Sequence, residues 1–286
     1  TIGDSEQNFA MLHLDPARPR NSRTHGLDEM APKLPEIFEA WKDKLNHGER
    51  GPAILLDLSP RLDDNQRLEV EEIVESFWPE IGKTWVWTSR GRGRVDRLSL
   101  WIGQLSTPGI SRRFVRIPPD IKEKPLVIEG DIEEISEHRR PPRKGEHVSI
   151  LDAALVESGL ALHFLRDLLP GQEITWSIID GRRPQIHHSE AINFENKQER
   201  MLVQATGRIV KLVHSDLSLE TISHLVEASR DYGFGKLTLR VALEPQLQPK
   251  LQGSLDRQLS SKGGVHVGFV AKQPHDSMLL LCLETQ

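Results

Sequence analysis

The stretch from His147 to Phe194 limits the possible folds more than any other, because it spells out a complete supersecondary unit. HVSIL is apolar and β-rich and stops at Asp152. ALVESGLALHFLRDLL then carries Leu155, Leu160, Leu162, Phe164, Leu165, Leu168 and Leu169 at helical spacing. Pro170-Gly171 ends that helix, since proline cannot extend the hydrogen-bond ladder and glycine accepts the turn. EITWSII alternates as a strand does, Asp180-Gly181 opens a basic turn, and the segment to Phe194 supplies a third strand.

The same order recurs upstream. AILLDLS is a strand of buried type, Asp63 and Asp64 sit where helix caps are favoured, and NQRLEVEEIVESFW is the helix. KTWVWTS, the basic SRGRGRVDR and LSLWIG complete that copy. A fainter third copy runs from KLTLRVALEP to SMLLLCLE, preceded by the amphipathic LSLETISHLVEASRDYG and the ambiguous MLVQATGRIVKLVH. These patterns predict an α/β protein of repeated strand-helix-strand-strand units forming mixed sheets covered by helices. The expected division is an irregular arm over 1–32, a first α/β unit over 33–146 and a second α/β region over 147–286. The first unit ends in a Pro-rich charged linker, and the second region holds the two further copies.

AILLDLSPRL followed by a helix and WVWTS resembles the opening of a von Willebrand factor A domain, whose strand ends in a metal-binding Asp-x-Ser-x-Ser. Asp57 and Ser59 match the first two positions, Arg61 replaces the second serine, and the central copy has Asp152 followed by Ala154. That resemblance implies a cation at a strand end. The element order from Gly207 onward resembles the C-terminal domain of bacterial translation initiation factor three, in topology and without a shared motif.

The candidate chemistry is concentrated in two residue types. Asp57 and Asp152 end buried strands that lead into helices, where a carboxylate can hold a metal, act as a base or cap the helix. Arg90, Arg92 and Arg94 crowd one inter-strand turn beside Gly91 and Gly93; Arg182 and Arg183 occupy the matching turn of the central copy, and Lys272 with His275 that of the third. Arginine suits bidentate contact with phosphate, so Arg90, Arg92, Arg94, Arg182 and Arg183 are the expected phosphate-binding residues. His187-His188 would point to opposite faces of a strand, which favours a surface pair over a metal site. Trp85, Trp87, Trp101 and Trp176 lie in strands and should pack against helices.

Composition narrows the classes. A formal charge of −5 gives no global attraction to nucleic acid or anionic membrane, so such binding would need a local patch. Cys282 is the sole cysteine and lies in an apolar run, which excludes an intramolecular disulfide and favours a buried hydrophobe over a nucleophile. No apolar run reaches the ~20 residues of a membrane span, and no signal-peptide core precedes the domain. A cytoplasmic protein fits these features. P-loop, GxGxxG, GxSxG and HExxH patterns are missing, and no catalytic residue can be named.

These observations lead to the expectation of a non-catalytic binding or assembly protein that contacts a phosphate-bearing ligand, RNA or DNA, through its Arg-rich turns, with a protein partner as a further option and no cofactor. The alternative is a metal-dependent phosphoester hydrolase using Asp57 and Asp152, and only that reading calls for a divalent metal.

Overall fold

The computed structural model describes residues 8–16, 26–91, 94–138, 140–260, 264–273 and 278–285. It is an α/β protein with two mixed sheets flanked by helices. The chain divides into two compact units: 1–90, 95–132 and 158–160 form the first, and 91–94, 133–157 and 161–286 the second. The break after Ile132 falls earlier in the chain than the expected boundary at 146/147.

The first unit contains β1 (Leu12–Leu14), α1 (Leu34–Trp41), β2 (His47–Gly48), β3 (Gly51–Leu58), α2 (Asp64–Phe77), β4 (Lys83–Ser89), β5 (Arg97–Gly103), β6 (Arg112–Arg116) and β7 (Leu126–Gly130). Its sheet runs β1-β3-β5-β4-β6-β7, with the short β2 also paired to β3. β1 is parallel to β3, β5 lies antiparallel between β3 and β4, and β4 is parallel to β6. β1 belongs to the stretch expected to be an irregular arm; three residues are too short for alternation to show, but Leu12 is buried and in register with Ile54. α2 begins with a reciprocal capping box, in which Asp63 accepts from Gln66 N at 2.9 Å and Asp63 N donates to Gln66 Oε1 at 3.1 Å.

Side-chain alternation gives this sheet two unlike faces. One is apolar, with Ile54, Leu56, Leu98, Leu100, Ile102 and Trp87 among its fully buried members. α2 packs there: Trp85 Nε1 donates to Glu71 Oε1 at 2.6 Å, and the Arg67 guanidinium lies 5.6 Å from the Trp87 ring centre. Arg112 lies 5.1 Å from the same ring centre. The other face carries half-buried Leu55, Thr88, Trp101 and Arg113 along with His13, Asp57, Arg97 and Ser99. On that face Arg113 stacks at 5.0 Å from Trp101.

The second unit contains β8 (His147–Leu151), α3 (Ala153–Glu157), α4 (Ala161–Leu168), β9 (Thr175–Ile178), β10 (Gln185–His188), α5 (Lys197–Arg200), β11 (Val203–His214), α6 (Ile222–Arg230), β12 (Phe234–Leu239), α7 (Leu247–Ser260), β13 (His266–Lys272) and β14 (Met278–Glu284). Its strand order is β12-β13-β14-β11-β8-β10-β9. Leu225 and Val226 of α6 and Leu251, Leu255 and Leu259 of α7 join Leu237, Val270, Leu279 and Leu281 in one core cluster. A second cluster gathers Val148, Ile150, Ala205, Ile209, Phe269, Leu280 and Cys282. Burial raises the Cys282 thiol pKa, which keeps the thiol protonated and matches the expected buried hydrophobe.

Two elements differ from the periodicity. The single helix expected after Asp152 is split into α3 and α4 at Ser158-Gly159-Leu160, where Gly159 takes φ +76°. The ambiguous MLVQATGRIVKLVH resolves to β11, whose register shifts between Ile209 and Lys211, so a bulge interrupts its alternation. The first two copies share strand order and sense: β5 is antiparallel to β3 and β4, as β10 is to β8 and β9. In the third, β12 pairs parallel with β13 and β14 lies outside, so its topology departs from theirs.

Candidate functional site

The parallel pair β1–β3 brings together a polar cluster that sequence spacing could not show. Asp57, only 6% exposed, sits on the half-open face of β3 in register with Ser99 of β5. Ser99 Oγ donates to Asp57 Oδ1 at 2.6 Å, and Arg97 Nη1 donates to Oδ2 at 3.0 Å. His13 Nε2 lies 3.0 Å from the same Oδ2. Burial alone would raise the Asp57 pKa, but the hydrogen bonds from Ser99 and His13 and the charge of Arg97 outweigh it and hold the carboxyl below its usual value. Asp57 is therefore an ionised anchor that orients His13, whose side chain remains 50% exposed. Asp15 follows directly on β1 and is exposed, so it sits just past the carboxyl end of a parallel strand, where ligands of open α/β sheets bind.

Asp152 has a different role. Its Oδ1 accepts from Ala154 N at 2.9 Å, which is the capping function at the start of α3. Asp57 and Asp152 belong to different units, and among the described residues no group of three or more His, Cys, Asp or Glu side chains could hold a metal. The Asp-x-Ser-x-Ser resemblance is thus not matched by a metal-binding set: the Asp57 oxygens already face Ser99, His13 and Arg97.

His187 and His188 point to opposite faces of β10, as alternation requires, but both are buried, each 1% exposed, rather than a surface pair. Strand β10 is interior to its sheet, between β8 and β9, which is why its polar residues lie inside. His188 Nε2 is 2.8 Å from Ser149 Oγ, which in turn donates to Thr206 Oγ1 at 2.7 Å, and His147 stacks on His188 at 5.7 Å. Desolvation lowers both His187 and His188 to about 4, so they are neutral at physiological pH.

The basic turns divide between the units. Arg90 is in the first, where its backbone N donates to Asp96 Oδ2 at 2.6 Å. Arg94 clusters with the second, and Arg92 and His275 lie outside the described residues. Arg182 and Arg183 line a recess of the second unit together with Lys272 and Arg240. Arg240, inside the strand-like KLTLRVALEP, gave no signal in the sequence, because only the folding of β12 against the β9–β10 turn brings it there.

No protein-family model matches this sequence, and no curated protein is similar to it. Among solved structures, the fold is similar to that of a "putative methyltransferase" from Porphyromonas gingivalis W83, with a TM-score of 0.53 and 15% identity over 97% of this chain. The chain spans 60% of that protein's length. TrmN from Thermus thermophilus aligns over 49% of this chain and 45% of its own at 14% identity, with a TM-score of 0.29; a superposition that loose identifies no shared fold. The class defined is an α/β fold of the kind found in the P. gingivalis protein, over nearly the whole chain. This likeness overturns the expectation of a non-catalytic binding protein, and equally its phosphoester-hydrolase alternative. No catalytic motif is readable in the sequence, and a chain without a motif can still carry chemistry on its fold.

Proposed function

We propose that this chain takes part in methyl transfer, with the ends of β1 and β3 handling the methyl acceptor. The observation that carries this reading is the superposition on the P. gingivalis protein over 97% of the chain. An acceptor O–H or N–H must lose its proton as the methyl group arrives. His13, half exposed and oriented by the ionised Asp57, is the group placed to take that proton. Ser99 and Arg97 fix Asp57 in turn, so the imidazole is positioned from below by a network rather than by one contact. Asp15, exposed beside it, is suited to accept a hydrogen bond from the acceptor.

The methyl donor such enzymes use, S-adenosylmethionine, carries a nucleoside. Nucleoside-bearing cofactors at a parallel sheet edge are held by a glycine-rich strand-to-helix turn and a helix N-terminus. Among the described residues, the turns after β3, β8, β10, β11 and β12 contain no glycine and so supply no such cradle, while the connection after β1 lies partly outside the described residues. The N-terminus of α2 is moreover occupied by Asp63. No step is therefore derived through the donor.

The test is incubation of the protein with methyl-tritiated S-adenosylmethionine and, in separate reactions, bulk RNA, DNA and protein. Label should enter one of these, and His13→Ala and Asp15→Ala should each reduce incorporation at least about tenfold. No incorporation into any acceptor, or unchanged incorporation in both variants, rejects the reading.

A further inference from the structure

Four cations meet in the second unit without a matching set of acids. Arg182, Arg183, Arg240 and Lys272 line a recess of about 280 Å³ in which Asp180 is the only carboxylate among the described residues. Arg183 is anchored, with Nη1 donating to the backbone carbonyls of Leu239 and Val241. No ion pair joins Arg182, Arg240 or Lys272 to a carboxylate among the described residues. Arg240 Nε is buried with no hydrogen-bond partner among those residues, and Gln273 Oε1 beside it is in the same condition. A buried guanidinium N–H without an acceptor costs on the order of 1–3 kcal/mol, and packing like charges together adds to that cost. An anion relieves the unmet Arg240 N–H and the crowded positive charge, whereas the Gln273 Oε1 acceptor calls for a donor on the ligand.

A second recess of about 650 Å³ adjoins the first, since Arg182 and Arg240 line both. Its wall is different in kind: Leu243, Pro245 and Pro249 give it an apolar side, Thr238 and Gln248 add hydrogen-bonding groups, and Lys236 and Asp256 add one charge of each sign. A charged recess sharing its arginines with a partly apolar one fits a ligand with a phosphate at one end and a flat, partly polar body at the other.

We propose that this double recess binds a nucleotide, free or as part of a nucleic-acid strand, with the phosphate on Arg182 and Arg240 and the base against Leu243 and Pro249. Arg183, held by two carbonyls, sets the floor of the phosphate end and is a positioning residue. The net acidic charge of the chain gives no general attraction to phosphate, so binding depends on a local cluster of cations such as this one. Neither methyl donor nor turnover is required, so the proposal stands or falls separately from the methyl-transfer reading.

The experiment is fluorescence anisotropy at low salt, on the whole protein, with two probes: a short fluorescein-labelled single-stranded RNA and a fluorescent adenosine triphosphate analogue. At least one should bind, with inorganic phosphate competing. Arg182→Ala and Arg240→Gln should each weaken binding at least about tenfold, with an unchanged Tm for Arg182→Ala, whose side chain is exposed. Binding of RNA alone identifies a strand as the ligand, and binding of the nucleotide analogue identifies a free one. For RNA, Arg182→Ala should also flatten the dependence of log affinity on log salt by roughly 0.7, one phosphate contact. Failure of both probes to bind, or equal affinities for wild type and both variants, overturns the proposal.

Discussion

Asp57 and Ser99 face each other across β3 and β5, and the 2.6 Å hydrogen bond between them fixes the ionised carboxylate that reaches His13. Asp57→Ala should destabilise the first unit by about 1–3 kcal/mol, because Ser99 and Arg97 lose their acceptor while Arg97 can still reach water. Asp57→Asn should cost less, since an amide oxygen still accepts from Ser99. Its pH dependence differs too. The native pKa lies below the unfolded one, so Asp57 contributes stability above about pH 4 that is lost as pH falls through its native value. The gap between wild type and Asp57→Asn in urea titrations should narrow as pH falls from 7 toward the acid range.

The buried histidines act in a higher pH window. His187 and His188 are lowered from 6.5 to about 4, so between those values the unfolded chain binds protons that the native state refuses. Stability is therefore full above pH 6.5 and falls as pH drops toward 4, with a slope of up to about 1.4 kcal/mol per pH unit for each histidine. His188→Gln should flatten that slope while lowering stability at neutral pH, where Ser149 loses its imidazole partner. Chemical denaturation at a series of pH values reads both effects, and parallel slopes for variant and wild type would contradict the account.

Two tryptophans on one strand should respond unequally to the same change. Trp85 Nε1 donates to Glu71, whereas Trp87 Nε1 is buried with no hydrogen-bond partner among the described residues. Trp85→Phe loses packing and a hydrogen bond to a charged acceptor; Trp87→Phe loses packing but relieves an unpaired donor. The first should be more destabilising by roughly 1–2 kcal/mol in urea denaturation.

Gly103 ends β5 at φ +64°, and a Cβ there would lie 1.9 Å from the backbone oxygen of Pro52. Backbone cannot swing aside as a side-chain tip can. Gly103→Ala should therefore cost more than about 2 kcal/mol and displace the β3–β5 register at its edge. A Tm within a degree or so of wild type would show that the strand ends separate freely.

The sequence made the strand-helix-strand-strand succession legible because AILLDLS, KTWVWTS and LSLWIG are long apolar runs bounded by caps and turns. β1 was hidden because LHL is three residues inside a polar stretch, and its burial comes from β3, more than thirty-five residues later. Asp57 could be picked out from its place at a strand end, but not its partners. His13, Ser99 and Arg97 converge on it only through a parallel pairing and an antiparallel insertion that no local pattern encodes. Arg182 and Arg183 were visible as a basic turn, while Arg240 was one charge in a β-rich run until β12 carried it to the same recess.

The place of β14 in its sheet has a consequence for how the chain is made. Met278–Glu284 emerges last of the strands, yet it lies inside the sheet, between β13 and β11. Until those residues leave the ribosome, β12–β13 on one side and β11-β8-β10-β9 on the other have no strand to join them. The apolar side chains of both halves and two open strand edges must wait together in the nascent chain, so the second unit closes only after its last strand has been synthesised.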